Sequence, residues 1–424
     1  MIKSYSGSAC ISSIASNMIV LNFTLICMGT EYNEVREKIN DNNRGPYDYT
    51  QTEKSYLMWA VAIGTLLAAW PFHLLYERFG ARIVFFSAGM ISTISTALIP
   101  VTARYSWTAL LLSRLFQGIS FGADFAAIGL IVVYWASLKQ HGFFISLLSS
   151  FSQISVMFTM PVAGEWCFPL CESSLGWPSV YYLHAMISGI LFTAWYYYYR
   201  NNPSKHPSMT RVELEKIQRG KNLVGEKKST PVKEIMTNPV MWAVWLSAFG
   251  ELMMSQFIVM YAPTYLKEVL GFRVAHTGYF VAIPRALHLV FKIISGIASD
   301  RITQHSHFVL SQIQFIKCLS LFIEPLLVFL ICKHNTVGEW RMVFLFHGVL
   351  LIAGNLIFCY FATDTPASFT HITRKVESLR ENVPAEHKRR IVIRRHCKEN
   401  AAVIPSAGTG WILMKEELMS SMPV

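Results

Sequence analysis

Arg200-Asn-Asn-Pro-Ser-Lys-His-Pro207 opens a polar stretch that runs to Pro239 in an otherwise apolar chain. The stretch holds nine Lys or Arg and four Glu, so no window of it has the run of about 20 apolar residues that a bilayer requires. Six long apolar runs precede it and four follow it. A basic linker between two groups of membrane helices is typical of a transporter with two lobes.

The composition excludes an ordinary soluble protein. The 424 residues are 53% hydrophobic and 15% charged, with a mean hydropathy of +0.36, whereas soluble proteins carry about a quarter charged residues. Since lipid requires each segment to satisfy its own backbone groups, we predict an all-α polytopic membrane protein. The net charge of +11 does not indicate nucleic-acid binding, because the positive residues lie mostly in the linker and the C-terminal tail.

Ten apolar runs are long enough to span a membrane. They cover residues 9–28, 56–76, 83–101, 107–135, 142–164, 179–199, 240–261, 279–299, 308–332 and 342–361. These runs predict an N-terminal lobe of six helices (1–199), a linker (200–239), a C-terminal lobe of four helices (240–362) and a basic tail (363–424). Because basic loops stay in the cytoplasm, the loop 77–82, the linker and the tail predict that both termini are cytoplasmic.

The cysteines predict neither a metal site nor a fixed disulfide. Five of the eight lie within apolar runs and are interpreted as small buried hydrophobes, namely Cys10, Cys27, Cys318, Cys332 and Cys359. Cys167 and Cys171 share a short non-cytoplasmic loop, where a disulfide between them is an open alternative. With no zinc spacing, nucleophile–base set or phosphate loop in the sequence, we predict no enzyme activity, no metal and no cofactor.

A short motif recurs in the two halves. Glu77-Arg78 ends the second span of the first half, and Asp300-Arg301 ends the second span of the second half. Four spans follow the first copy, but only two follow the second. Because transporters are built from repeated bundles, this difference predicts that one pair of helices is absent from the second half.

The loop after the second span resembles the signature between helices 2 and 3 of the major facilitator superfamily. Glu77, Arg78, Gly80 and Arg82 match the signature, while His73 stands where glycine is usual. The resemblance implies that this loop, together with Asp300 and Arg301, controls the conformational change between the lobes.

Within that superfamily the chain resembles the anion:cation symporters, which include sialin, vesicular glutamate transporters and sodium-phosphate cotransporters. The resemblance covers roughly residues 10–370. It rests on Arg114-Leu-Phe-Gln117-Gly118, Tyr134-Trp-Ala136, Pro161-Val-Ala-Gly164, Gly176-Trp-Pro178, Tyr261-Ala-Pro263 and Glu339-Trp340.

Two departures from that family stand out. Members have twelve helices. In this chain the sequence after Ser306 resembles helix 11 of the family, so this comparison implies that helices 9 and 10 are missing. Relatives that carry glutamate or sialate also place Arg in helices 1 and 7 and an acid in helix 4. Here helix 1 has no Arg, Glu251 lies near the Arg position of helix 7, and Phe121 replaces the acid. The resemblance therefore does not identify the substrate.

Ionisable side chains within spans are costly, at least ~2.5–3.5 kcal/mol each at mid-bilayer, so each is a functional candidate. Arg114 is predicted to bind the anion, or alternatively to extend its side chain to the membrane surface. Asp124 is predicted as its partner or as a proton site. Glu251 is predicted to couple transport to protons, with a structural carboxyl as the alternative.

The eighth span carries three bases on one helix face. Arg285, His288 and Lys292 are spaced i, i+3 and i+7, which places them on one side of a helix. We predict that they bind the anion and that Glu251 and Glu324 are their negative partners, with Glu324 as a further candidate for coupling to protons or sodium. The alternative is a polar interior without ligand contact. Lys317 and Glu324 share a face of the ninth span.

Together these patterns predict a secondary active carrier of a small organic or inorganic anion, coupled to protons or sodium, that works by alternating access in the lipid bilayer. The plasma membrane and endolysosomal or vesicular membranes are open alternatives for its location. The alternative function is a truncated form of such a carrier that transports nothing.

Overall fold

The computed structural model describes residues 2–39, 49–137, 140–166, 176–206, 209–218, 236–302, 323, 327–332 and 336–361. These residues form helices and connecting turns, and no strand occurs among them. The helices are α1 (Ile2–Ile39), α2 (Gln51–Phe79), α3 (Ala81–Tyr105), α4 (Trp107–Phe121), α5 (Asp124–Trp135), α6 (His141–Ser149), α7 (Phe151–Trp166), α8 (Gly176–Tyr198), α9 (Arg211–Gln218), α10 (Pro239–Thr264), α11 (Val274–Ile302) and α12 (Val337–Phe361).

The predicted spans correspond closely to these helices. Within the described part of the chain, eight helical segments are long and apolar enough to cross a membrane. They match the predicted spans 1–5, 7, 8 and 10, with α4–α5 forming the fourth and α6–α7 the fifth. The sixth predicted span is α8, a helix whose tyrosines lower its hydropathy. Most of the ninth predicted span lies outside the described residues.

Contacts divide the chain into two compact units. The first comprises Met1–Ser229 and Pro239–Ala362, and the second comprises Thr230–Asn238 and Thr363–Val424. Both predicted lobes therefore fall within the first unit, and their boundaries stay a prediction.

Helix α1 lies at the centre of the first unit. It contacts α3, α4, α6, α7, α8 and α10, and the apolar window of its segment Ser6–Met28 is completely buried. A helix that is apolar on all sides and touches no lipid is expected at the core of a bundle. Around it, the other helices expose many large apolar side chains, as the surface of a membrane protein requires.

Glycines allow the closest helix contacts. Gly64 of α2 lies against the backbone of α4 at Leu115, and Gly118 of α4 lies against the backbone of α2 at Val61. Gly278 of α11 likewise meets the backbone of α7 at Met160. Small residues at these points let two helices approach until their backbones touch, which is a common way for membrane helices to associate.

One cysteine differs from the prediction. Cys27, buried in α1, is disulfide-bonded, so its interpretation as only a small buried hydrophobe is wrong. Helical periodicity shows that a cysteine is buried but carries no information about a distant thiol. Cys10, Cys332 and Cys359 are free, and Cys167 and Cys171 lie outside the described residues.

Candidate functional site

The three predicted bases of α11 lie close together in the second half of the chain. Lys292 and His288 face α6 and α7, and Arg285 faces α10. His288 is the middle residue of Val274–Ile302, so the group sits near the centre of its helix. The helical spacing thus places the three side chains together near the middle of α11.

Glu251 is the acid beside these bases. Its Oε1 lies 3.9 Å from Nε2 of His288, and its side chain is 63% exposed. Its charge also acts on Arg285 and Lys292. The structure therefore brings Glu251 to the basic face, as predicted. Glu324 and Lys317 lie outside the described residues.

Arg285 is held against α10. Its guanidinium donates to the carbonyl oxygen of Ser255 at 2.6 Å and to the Ser255 hydroxyl at 3.0 Å. The residue is only 4% exposed, and its Nε has no hydrogen-bond partner among the residues that the structure describes. A buried donor without a partner costs about 1–3 kcal/mol, so this position would gain from an added acceptor.

The first half of the chain completes the cluster. The side-chain amide nitrogen of Gln153 lies 3.3 Å from Nδ1 of His288. Lys292 donates to the carbonyl oxygen of Ser149 at 2.9 Å. Both contacts join α6–α7 to α11, so the cluster lies between the two halves.

The Ser149 carbonyl is exposed to Lys292 by a break in the fifth span. Helix α6 ends at Ser149 and α7 begins at Phe151. The backbone N–H of Gln153 donates to the carbonyl oxygen of Ser150 at 3.1 Å. In a regular helix it would donate to the carbonyl oxygen of Ser149. A backbone group without its helical partner is tolerated within a membrane span where other protein groups cover it. Here the Lys292 ammonium covers the carbonyl of Ser149.

Arg114 lies apart from this cluster. It is fully buried and donates to the Met18 carbonyl oxygen at 2.8 Å and to Oε1 of Gln117 at 2.7 Å. The Gln117 amide in turn donates to Thr96 at 2.8 Å. Arg114 therefore does not extend to the membrane surface; it ties α4 to α1 inside the first half.

Asp124 is not the partner of Arg114, whose hydrogen bonds go to Leu57, Met18, Gln117 and Met58. Asp124 is fully buried and begins α5. Its Oδ1 accepts from the backbone amide of Phe125 at 2.7 Å. A carboxylate in the first turn of a helix is favoured by the helix dipole, which gives Asp124 a structural role in the kinked fourth span.

The comparisons with known proteins agree with this arrangement. The family model described as Major Facilitator Superfamily matches residues 6–331. The chain belongs to the major facilitator superfamily. Helices from two halves that meet at a polar cluster between α7 and α11 fit that assignment.

Its curated relatives include a sodium-dependent phosphate transport protein and sialin. The chain is 24% identical over 300 residues to mouse sodium-dependent phosphate transport protein 1, an alignment that covers 69% of this chain and 63% of the mouse protein. It is 22% identical over 267 residues to human sialin, covering 62% of this chain and 53% of sialin. The alignment therefore spans a little under two thirds of the mouse protein. These matches confirm the predicted resemblance to sialin and to sodium-phosphate transport proteins.

Solved structures confirm the fold. The proton:xylose symporter XylE superposes with a TM-score of 0.52 at 14% identity, covering 89% of each chain. At this identity the likeness shows the major facilitator fold alone. The predicted absence of helices 9 and 10 remains a prediction, because residues 303–322 lie outside the described part of the chain.

The signature loop of the superfamily is held within the first half. Gly80 has a φ of 76°, a conformation that favours glycine. The backbone amide of Arg82 donates to the side-chain oxygen of Asn201 at 2.8 Å. The guanidinium of Arg82 donates to the backbone carbonyl oxygen of Tyr196 at 2.9 Å. Glu77 lies 3.7 Å from His73, and Arg78 covers the ring of Phe79. The side chains of Asp300 and Arg301 are not described.

Sequence reasoning missed the contribution of the first half. Gln153 and Ser149 lie in the run Ser146-Leu-Leu-Ser-Ser-Phe-Ser-Gln-Ile-Ser155, which is unusually polar for the middle of a span. That run was the available signal, because polar groups inside a bilayer need partners. Among the described residues, no group of three or more His, Cys, Asp or Glu is placed to hold a metal ion.

Proposed function

We propose that this protein is a secondary active carrier of a small organic or inorganic anion, coupled to protons or sodium. The observation that carries the proposal is the face of Arg285, His288 and Lys292 at the middle of α11. Its relatives support the same class, since they include a sodium-dependent phosphate transport protein and a probable anion transporter.

Charge balance at the site favours an anion. Arg285 and Lys292 each carry a positive charge, and His288 adds a third when protonated. Among the described residues, Glu251 is the acid that acts on all three bases. A bound anion would offer an acceptor to Nε of Arg285, which has no partner in the described part of the chain. We keep Arg114 as a proposed further contact in another conformation, because in this one it is enclosed by α1, α2 and α4.

Coupling would use a titrating group in the same cluster. Glu251 lies 3.9 Å from His288, so a change in the charge of this carboxyl would change the charge that the anion meets. Asp124 and Glu324 remain proposed alternatives for this role. Transport would then proceed by rocking of the two lobes about the central site.

Several contacts between the halves would have to break in that movement. Lys54 of α2 lies 3.5 Å from Glu268, just after α10. Asn22 of α1 donates to the Val259 carbonyl oxygen at 3.5 Å. The contacts of Lys292 with Ser149 and of His288 with Gln153 also join the two halves.

Uptake of labelled phosphate and of labelled organic acids into liposomes, with an imposed proton or sodium gradient, tests the proposal. We expect Arg285→Ala and Lys292→Ala each to weaken uptake without preventing membrane insertion. Arg273→Ala is the matched control, because Arg273 is exposed and lies just before α11. Glu251→Gln should reduce the dependence on the proton gradient.

Two results would contradict parts of the proposal. If both α11 variants take up anions like the parent, the basic face is structural and the site lies elsewhere. If the parent takes up no more than empty liposomes under any gradient, the alternative of a truncated, transport-inactive form is supported.

A further inference from the structure

Gln153 and His288 form a buried contact between the two halves. The amide nitrogen of Gln153 lies 3.3 Å from Nδ1 of His288, and Gln153 is only 2% exposed. On its other side, the amide oxygen of Gln153 accepts from the hydroxyl of Ser152 at 2.9 Å. In this orientation the amide oxygen faces the Ser152 hydroxyl and the amide nitrogen faces His288.

That orientation determines the tautomer of His288. An amide N–H is a donor only, so Nδ1 of His288 must accept. A neutral imidazole with Nδ1 as the acceptor carries its proton on Nε2. Nε2 is the atom that lies 3.9 Å from Glu251. Gln153 thus directs the N–H of His288 toward the carboxylate on α10.

We propose that Gln153 is a positioning residue of the anion site, contributed by the first half, that decides which nitrogen of His288 receives a proton. The inference rests on the proposed function for its role in transport. Because Nε2 already carries a hydrogen, a proton from solvent can bond only to the lone pair of Nδ1, on the side of α7.

Proton uptake would then turn the Gln153 amide. With a proton on Nδ1, the amide nitrogen can no longer donate to that atom. A half-turn of the amide lets its oxygen accept from Nδ1–H, while its nitrogen donates to the Ser152 hydroxyl oxygen. Both orientations satisfy every polar group, so the contact between the halves changes polarity without being lost.

Other charged groups also act on His288. Glu251 of α10 lies 3.9 Å from its Nε2, and the bases Arg285 and Lys292 lie on the same face of α11. Gln153 is uncharged, and glutamate has nearly the same shape. Gln153→Glu therefore changes the charge facing Nδ1 with little change in packing, whereas Gln153→Met removes the hydrogen bond and keeps the volume.

The test measures His288 directly in the purified full-length protein. Diethyl pyrocarbonate modifies the unprotonated imidazole, and the side chain of His288 is 37% exposed, so the reagent can reach it. Peptide mass spectrometry then gives the pH at which His288 modification is half-maximal. We expect Gln153→Glu to raise that midpoint by about 1–3 pH units, as an opposite charge at this range does, and Gln153→Met to lower it.

Gln140→Glu is the matched control. It adds the same charge to the same span, about 20 Å away along the helix axis, at an exposed position just before α6. Its midpoint should equal that of the parent. Thermal unfolding of each variant shows whether it is folded, and Gln153→Met decides the matter if Gln153→Glu does not fold.

Equal midpoints for the parent, Gln153→Glu and Gln153→Met would overturn the inference. The labelling does not need transport, so it distinguishes the two proposals. Uptake in the parent together with unchanged midpoints leaves the carrier function standing and removes the role of Gln153. Shifted midpoints without any uptake would show that Gln153 sets the protonation of His288 in a protein that does not transport. If the parent takes up anions and the variants shift the labelling midpoint, the pH profile of uptake should shift by the same amount as the midpoint.

Discussion

Replacing Gly118 should destabilise the contact between α2 and α4. A Cβ at Gly118 would lie 2.8 Å from the Cα and 2.9 Å from the carbonyl carbon of Val61, and still closer to the carbonyl oxygen. Ordinary contact begins at 3.4 Å, so the first of these separations must open by about 0.6 Å, from 2.8 Å to 3.4 Å. The atoms belong to helix backbone, so the helices themselves must move apart.

The cost follows from that displacement. Forcing an extra methyl group into a packed contact costs about 1–3 kcal/mol. Moving the helices also strains the bond from the Thr65 hydroxyl to the Gly118 oxygen, now 3.1 Å. Alanine regains up to about 1 kcal/mol as a better helix former. We therefore expect Gly118→Ala to lower the free energy of unfolding by about 1–2 kcal/mol, and Gly118→Leu to lower it further.

Thermal unfolding in one detergent, followed by tryptophan fluorescence, is the assay. Gly129→Ala is the control within the same span, because nothing lies within 4 Å of a Cβ added there. That variant should be as stable as the parent or slightly more stable. If Gly118→Ala melts at the same temperature as Gly129→Ala, the close approach of the two backbones does not limit stability and the reasoning is refuted.

Two further predictions concern topology and helix number. Single cysteines can be introduced at Ser229 and Ser406 in a background without free native thiols. In intact cells both should be protected from a membrane-impermeant reagent, because basic segments stay in the cytoplasm. Labelling of either cysteine would contradict the predicted orientation. A version with a helix pair restored between Arg301 and Ser306 should unfold at a higher temperature than this chain, because the added helices would cover polar groups such as Glu251. Equal melting temperatures for the two forms would mean that the shorter chain is complete in its own right.

Local sequence patterns predicted the helices and the basic face. Apolar runs of about 20 residues marked the spans, and the helices Gln51–Phe79, Ala81–Tyr105 and Val337–Phe361 contain the spans predicted there. The spacing of Arg285, His288 and Lys292 placed them on one face because helical geometry is local. Breaks within spans were not predicted: Gly122–Ala123 and Ser150 interrupt the fourth and fifth spans without any proline.

What the sequence by itself determined, then, is the membrane class, the helices, the superfamily resemblance and the residues that share a helix face. The tertiary structure decided which groups meet. Only packing brings Gln153 to His288, 135 residues away. Packing also makes the carbonyl oxygen of Met18, and not Asp124, a hydrogen-bond partner of Arg114. Periodicity along one helix fixes the direction of a side chain relative to its own axis. Which distant helix lies opposite, at what depth and rotation, depends on how small residues such as Gly118 and Gly278 let the helices approach, and this follows from the packing of the whole bundle.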